Sequence, residues 1–159
     1  MNAVETAHIP SPLGTIEITG SNGVIFSVSF HEEQEKSASK VPASLKVCAQ
    51  QIEEYFSGKR KQFDLPLQPN GTVFQRHVWD ELLKIPFGKT ISYLQLARHL
   101  GDEKRIRAAA SANGKNPIGI LIPCHRVIGA NSELVGYMGG LWRKQWLLDH
   151  ENGQQTLDL

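Results

Sequence analysis

One change of hydrophobic period organises this chain. Ile16-Glu17-Ile18-Thr19 alternates, Ser21-Asn22-Gly23 supplies a turn, and Val24 to Phe30 alternates again. Residues 7–30 therefore read as strands, with an earlier turn at Pro10-Ser11-Pro12-Leu13-Gly14. Beyond a polar loop from His31 to Pro42 the period becomes helical. Leu45, Cys48, Ile52 and Phe56 fall on one stripe of a helix over Ala43–Phe56, and Gly58 stops it. Lys59 to Gly71 is polar, carries Pro66 and Pro69, and reads as a linker. This predicts a small α/β part over residues 1–70, linker included, followed by a mostly α part over 71–159. There is no internal repeat and no low-complexity tract.

In the second part, Phe74, Val78, Trp79 and Leu82 form an apolar stripe that ends before Pro86-Phe87-Gly88. Ser92 and Gln95 have capping-box spacing and open a helix to about Leu100. Gly101 closes it, and Asp102 can cap the next helix, which runs to about Asn113. Two short helices joined by a glycine turn over 92–113 resemble a helix-turn-helix, and also occur as plain structure. In the second helix, Ile106 and Ala109 or Ala110 can face the core. The outward face then holds small residues, Ala108 and Ser111 among them, beside one long cation, Arg107. Such a slim face permits close approach to a groove, although alanine also simply favours helix.

Charge is uneven. Residues 84–126 hold eight Lys/Arg against Asp102 and Glu103, a balance of +6, while residues 1–70 balance at −2. A solvated basic face and a nucleic-acid footprint both fit, and charge alone does not choose. No apolar run reaches the roughly 20 residues a bilayer span needs. The N-terminal residues lack the basic and apolar regions of a secretory signal, so a cytoplasmic protein is expected. The two cysteines, Cys48 and Cys124, lack zinc-ligand spacing, so no metal is expected. Cys48 lies on the helical stripe and reads as core.

Cys124 differs. Ile118 to Ile122 is a short apolar run, and Pro123 fixes its own φ while pushing Ile122 toward extended backbone. The thiol thus emerges from a rigid, dry segment into the polar His125-Arg126. A thiolate, not a thiol, is the nucleophile, and a neighbouring histidine or the positive charge of Arg126 can lower a cysteine pKa. Adjacent residues point different ways, so a bridging water between Cys124 and His125 is plausible.

The run Ile122-Pro123-Cys124-His125-Arg126-Val127 resembles the active-site motif of the O6-alkylguanine-DNA alkyltransferases. Asn116-Pro117 matches the same family, as do the loop Gly136-Tyr137-Met138-Gly139-Gly140-Leu141 and the helix Arg143 to Glu151. The resemblance is nearly continuous from Val73 to Glu151. In residues 1–70 it is general, strands followed by a helix, as in the family's ribonuclease-H-like N-terminal domain with its small antiparallel sheet.

The resemblance implies a DNA repair protein that moves the alkyl group of O6-alkylguanine, with O4-alkylthymine a second candidate substrate, irreversibly onto Cys124, once per molecule. It implies a Glu151–His125–water–Cys124 relay, Asn116 as a brace of the reactive turn, and Tyr93 as phosphate rotator and proton donor. It assigns minor-groove binding to the helix-turn-helix, with Arg107 filling the gap left by a flipped base and Ala108, Ser111 and Arg126 beside it on the DNA. Main-chain groups at Cys124 and Val127 would take the guanine, with Tyr137 packed against it. Met138 stands where family members often have serine or alanine, and its longer side chain reshapes the pocket. The implied partner is double-stranded DNA, bound by a monomer with no cofactor.

Two other classes compete. A DNA-binding protein without chemistry leaves Pro123-Cys124-His125-Arg126 unexplained, and the alkyltransferase-like proteins that flag damage replace the cysteine. A cysteine hydrolase would turn over repeatedly.

Overall fold

A computed structural model describes residues 3–31, 40–132 and 134–157. The chain divides into two compact units, residues 1–70 with 117–121, and residues 71–116 with 122–159.

In the first unit, β1 (Glu5–Ser11), β2 (Gly14–Ser21) and β3 (Val24–His31) form an antiparallel meander in the order β1-β2-β3. Asn22 and Gly23 both have positive φ, 58° and 84°, the backbone that a two-residue hairpin turn requires. On β2 the alternation sets the buried face, with Ile16 and Ile18 inward. On β3 the expected alternation is broken by a bulge opposite Thr19 and Gly20, so Ile25 and Val28, three residues apart, are the buried positions. Helix α1 (Lys46–Phe56), entered through a 3-10 turn at Ala43–Leu45, adds Leu45, Cys48 and Ile52 to this core. The fourth inward position is Tyr55, not Phe56 as the stripe predicts. Tyr55 stands three residues after Ile52 and packs on Phe63, ring centroids 5.5 Å apart.

The free edge of β3 is covered, which removes an exposed row of unpaired main-chain groups. Ile25 pairs with the 66–68 strip, donating to the Pro66 carbonyl and accepting from Gln68 N–H. Val28 donates to Pro117 O and accepts from Gly119 N–H, each at 3.0 Å. The expected linker over 59–71 is therefore partly built into the sheet, and Gln51 clamps it further through two hydrogen bonds with the Asp64 main chain. Residues 117–121, expected in the second part, group with this first unit for the same reason.

The second unit is mostly helical. Helix α2 (Val73–Leu82) starts on a reciprocal capping box between Thr72 and Gln75. Helix α3 (Tyr93–His99) starts on the box between Ser92 and Gln95. Gly101, at φ 94°, turns the chain; Asp102 then caps a 3-10 turn leading into α4 (Ile106–Gly114). Val78, Trp79, Leu82, Leu96, Ala97, Ala109 and Ala112 are buried, and the Trp79 indole N–H donates to Ala112 O at 2.8 Å. Ile106 does not face this core as expected. It lies in the first turn of α4, where Ala109, Ala112 and Asn113 define the inward stripe, and it remains exposed. Two short strands, β4 (Ile91–Ser92) and β5 (Val127–Ile128), pair in parallel, placing the start of α3 beside the segment that follows Cys124. Helix α5 (Leu141–Leu157) completes the unit.

Candidate active site

Pro123 sets the geometry of the reactive turn. Its φ of −82° and ψ of 62° are those of an inverse γ-turn, closed by Cys124 N–H donating to Ile122 O at 2.8 Å. A single 3-10 turn, Cys124–Arg126, follows. Two asparagines brace it. Asn116 Nδ2 donates to Ile122 O at 2.8 Å and its side chain also hydrogen-bonds Cys124. Asn113, projecting from α4, donates to Cys124 O at 3.3 Å.

Behind the thiol lies a buried polar chain. His125 Nε2 is 2.7 Å from Glu151 Oε2. Arg126 donates from Nε to Glu151 Oε1 at 2.8 Å and from Nη2 to Oε2 at 3.0 Å, while its Nη1 reaches Ile85 O at 2.7 Å. Gly88 N–H adds a further donor to Oε1. His125 and Glu151 are at most 1% exposed and Arg126 6%. Burial works to raise the Glu151 carboxyl, but the hydrogen bonds and charges of His125 and Arg126 outweigh it and hold the group ionised, well below the usual carboxylate range. Burial pushes His125 below its ordinary value, against the pull of Glu151. The imidazole is thus neutral. Its shared bond with an ionised carboxylate requires the proton on Nε2, so the lone pair is on Nδ1, which is buried without a hydrogen-bond partner among the described residues.

Two expectations need correction. Arg126 was placed on the DNA. Its guanidinium instead points inward and is neutralised by Glu151, so it is not a groove residue. Nor is the resting thiol acidified. Cys124 is 1% exposed, and burial pushes it up to about 11 despite the Asn116 hydrogen bond and the charge of Lys144. In the resting protein desolvation wins, and the thiol is neutral.

The remaining residues fall into two places. Tyr93, at the start of α3, donates its hydroxyl to Val135 O at 3.0 Å; burial and the nearby Cys124 raise its pKa. Val127 is buried directly after the reactive turn, the Tyr137 hydroxyl is buried, and Met138 is exposed. Arg107, Ala108 and Ser111 are all exposed on α4, the helix whose far end carries Asn113.

Three residues escaped the sequence reading. Asn113 and Gly88 carry no local signal. Lys144, 0% exposed, sits in a polar run but shares one helical face with Leu147 and Glu151, and that spacing could have revealed it. Among the described residues, no group of three His, Cys, Asp or Glu side chains could hold a metal ion, and no helix is long and apolar enough to cross a membrane.

Comparison with known proteins covers nearly the whole chain. Residues 6–69 match the model of the 6-O-methylguanine DNA methyltransferase ribonuclease-like domain, and residues 73–153 that of the 6-O-methylguanine DNA methyltransferase DNA binding domain. A methylated-DNA--protein-cysteine methyltransferase of Methanosarcina acetivorans is 42% identical over 152 residues, 91% of this chain and 96% of that protein. The crystal structure of the Mycobacterium tuberculosis O6-methylguanine methyltransferase superimposes with a TM-score of 0.86 at 38% identity, covering 96% of this chain and 94% of the other. The same organism's OGT in complex with DNA gives a TM-score of 0.84 at 38% identity, covering 92% of each chain.

Proposed function

The chain belongs to the 6-O-methylguanine DNA methyltransferase family, and from that membership we propose how its own residues carry out the repair. The protein repairs DNA by direct reversal, transferring an alkyl group from O6-alkylguanine to its own cysteine. The observation that carries the residue assignment is the buried Arg126–Glu151–His125 chain placed directly behind an asparagine-braced cysteine.

The acceptor is Cys124. Its proton passes through one water to His125 Nδ1, the nitrogen whose lone pair is available. The imidazolium that forms is stabilised by Glu151, which Arg126 keeps ionised. The thiolate then attacks the alkyl carbon, the carbon–oxygen bond breaks, and guanine leaves as a neutral base after protonation. Tyr93 donates that proton once its hydroxyl turns from Val135 O to the base. A thiol held near 11 at rest is a poor nucleophile, so the relay restricts thiolate formation to the occupied site. The thioether product has no simple reversal, so each molecule acts once.

Double-stranded DNA binds through the minor groove on the exposed face of α4. The target base rotates out of the stack, Arg107 fills the gap, and the slim Ala108–Ser111 surface allows close approach. Val127, Tyr137 and Met138 line the pocket. Every group named lies in one chain, which fits a monomer.

The test is duplex DNA radiolabelled on the methyl group of O6-methylguanine. Label should move to protein in the wild type and stay on DNA in Cys124→Ala. Label released to solution would indicate a hydrolase, and retention on DNA with the wild type a protein that only binds.

A further inference from the structure

The relay does not use the buried charge of Lys144. Lys144 is fully buried on α5, and among the described residues no carboxylate lies within ion-pair distance of its Nζ. Its ammonium donates to Val135 O at 2.8 Å and Gly136 O at 3.4 Å, and lies 5.8 Å from the centre of the Tyr93 ring. A buried ammonium held only by carbonyls and a ring face is costly, because neither replaces a counter-ion. The Glu151 carboxylate does not serve, since Arg126 neutralises it.

The groups facing this part of the site are few. The reactive turn brings Cys124, His125 and Arg126; α3 brings Tyr93; the loop before α5 brings Tyr137; and α5 itself brings Arg143 and Glu151. With Glu151 and Arg126 cancelling each other, Cys124 is the group whose ionisation would supply Lys144 with an anion. The Val135 carbonyl also accepts from Tyr93, so Lys144 and Tyr93 tie down the same point of the loop that carries Tyr137 and Met138.

We propose that Lys144 is a positioning residue of the transfer reaction, tethering the 134–137 segment through its carbonyls and supplying the positive charge that favours the Cys124 thiolate. The mutual electrostatic effects of Cys124 and Lys144 agree with this, each favouring the other's charged form. Burial lowers the Lys144 ammonium to about 8, so at pH 7 it carries its charge, and it exchanges no proton with substrate. The proposal rests on the alkyl-transfer reading only for its consequence in repair; the thiol–ammonium coupling is measurable without DNA.

The first measurement is the pH dependence of Cys124 alkylation by iodoacetamide, in wild type, Lys144→Met and Lys144→Arg, located by peptide mapping. Lys144→Met should need higher pH to reach the same rate, with a loss of about tenfold at pH 7, the equivalent of one unit of thiol pKa. Lys144→Arg should recover most of it. Single-turnover methyl transfer should show the same alkaline displacement. A Lys144→Met profile superimposable on wild type, or one lowered equally at every pH, overturns the charge role. Should Lys144→Met not fold, the reciprocal measurement decides. The NMR titration of Lys144 Cε should move to higher pH in Cys124→Asp, which places an anion beside it, than in the neutral Cys124→Asn, and coincident curves overturn the coupling. A wild type that fails to transfer methyl while its thiol titration depends on Lys144 would refute the repair reading and leave this one standing.

Discussion

His125 Nε2 and Glu151 Oε2 meet at 2.7 Å, although the two residues are 26 apart in the chain and nothing local holds them together. The contact exists because α5 carries Glu151 into the same buried space as the 3-10 turn after Cys124. It fixes which imidazole nitrogen can accept a proton.

Removing that carboxylate's charge should therefore slow the reaction in a pH-dependent way. Glu151→Gln keeps much of the shape but no longer favours the imidazolium. Single-turnover methyl transfer should fall by roughly tenfold or more at neutral pH and recover partly as pH rises. DNA affinity should change little. Superimposable rate–pH profiles in a folded variant would remove Glu151 from the proton path.

Arg126 makes a stability prediction in place of a DNA-binding one. Arg126→Met leaves Glu151 with one less buried partner, and breaking such a pair costs about 3–5 kcal/mol. Urea unfolding should show this loss. The pH dependence has a definite sign. The folded pKa of Glu151 is depressed, so its contribution is complete above the unfolded value, near 4.3, and is lost as pH falls toward the folded value. Glu151→Gln should remove that component of acid sensitivity. A salt-dependent fall in DNA affinity with unchanged stability would restore Arg126 to the groove.

Legibility followed the distance over which each decision is made. The Asn22-Gly23 hairpin and the Ser92 and Asp102 caps were readable because a few adjacent residues decide them. Cys124 and His125 were readable because they are neighbours after a proline. The direction of Arg126 was not, since a cation beside a cysteine can serve DNA, the thiol or a carboxylate, and only the position of Glu151 decides. Lys144 lies in a run of polar residues, where only its helical spacing to Leu147 and Glu151 signals an inward position. Pro66 to Gln68 looked like linker because pairing with Ile25 is a property of the edge of β3, not of those three residues.

Arg107 is exposed on α4 and away from the reactive turn, so its substitution should spare the chemistry. Arg107→Ala should lose roughly tenfold to a thousandfold on duplex DNA, the range set by a few kcal/mol of unstacking. Reaction with free O6-methylguanine base should be nearly unchanged. Equal losses on both substrates would mean that Arg107 serves the fold or the bond-breaking step.

The asparagine brace predicts a different pattern. Asn116→Ala leaves the buried Ile122 carbonyl with only the γ-turn N–H of Cys124, a loss of one hydrogen bond worth about 0.5–1.5 kcal/mol, and removes a hydrogen bond that favours the thiolate. Thermal or urea unfolding should show the destabilisation, and methyl transfer should slow on duplex and free base alike. Unchanged stability together with unchanged transfer would show that the γ-turn at Pro123 holds its shape without it.

The most direct measurement is peptide mapping by mass spectrometry after reaction with excess duplex containing O6-methylguanine. Cys48 is buried in the first unit with its thiol pushed up to about 12, so it should stay unmodified. The account predicts one methyl group per molecule, on the Cys124 sulfur, with an equal amount of guanine restored in the DNA. Methyl on another residue, or more guanine restored than protein present, would contradict it.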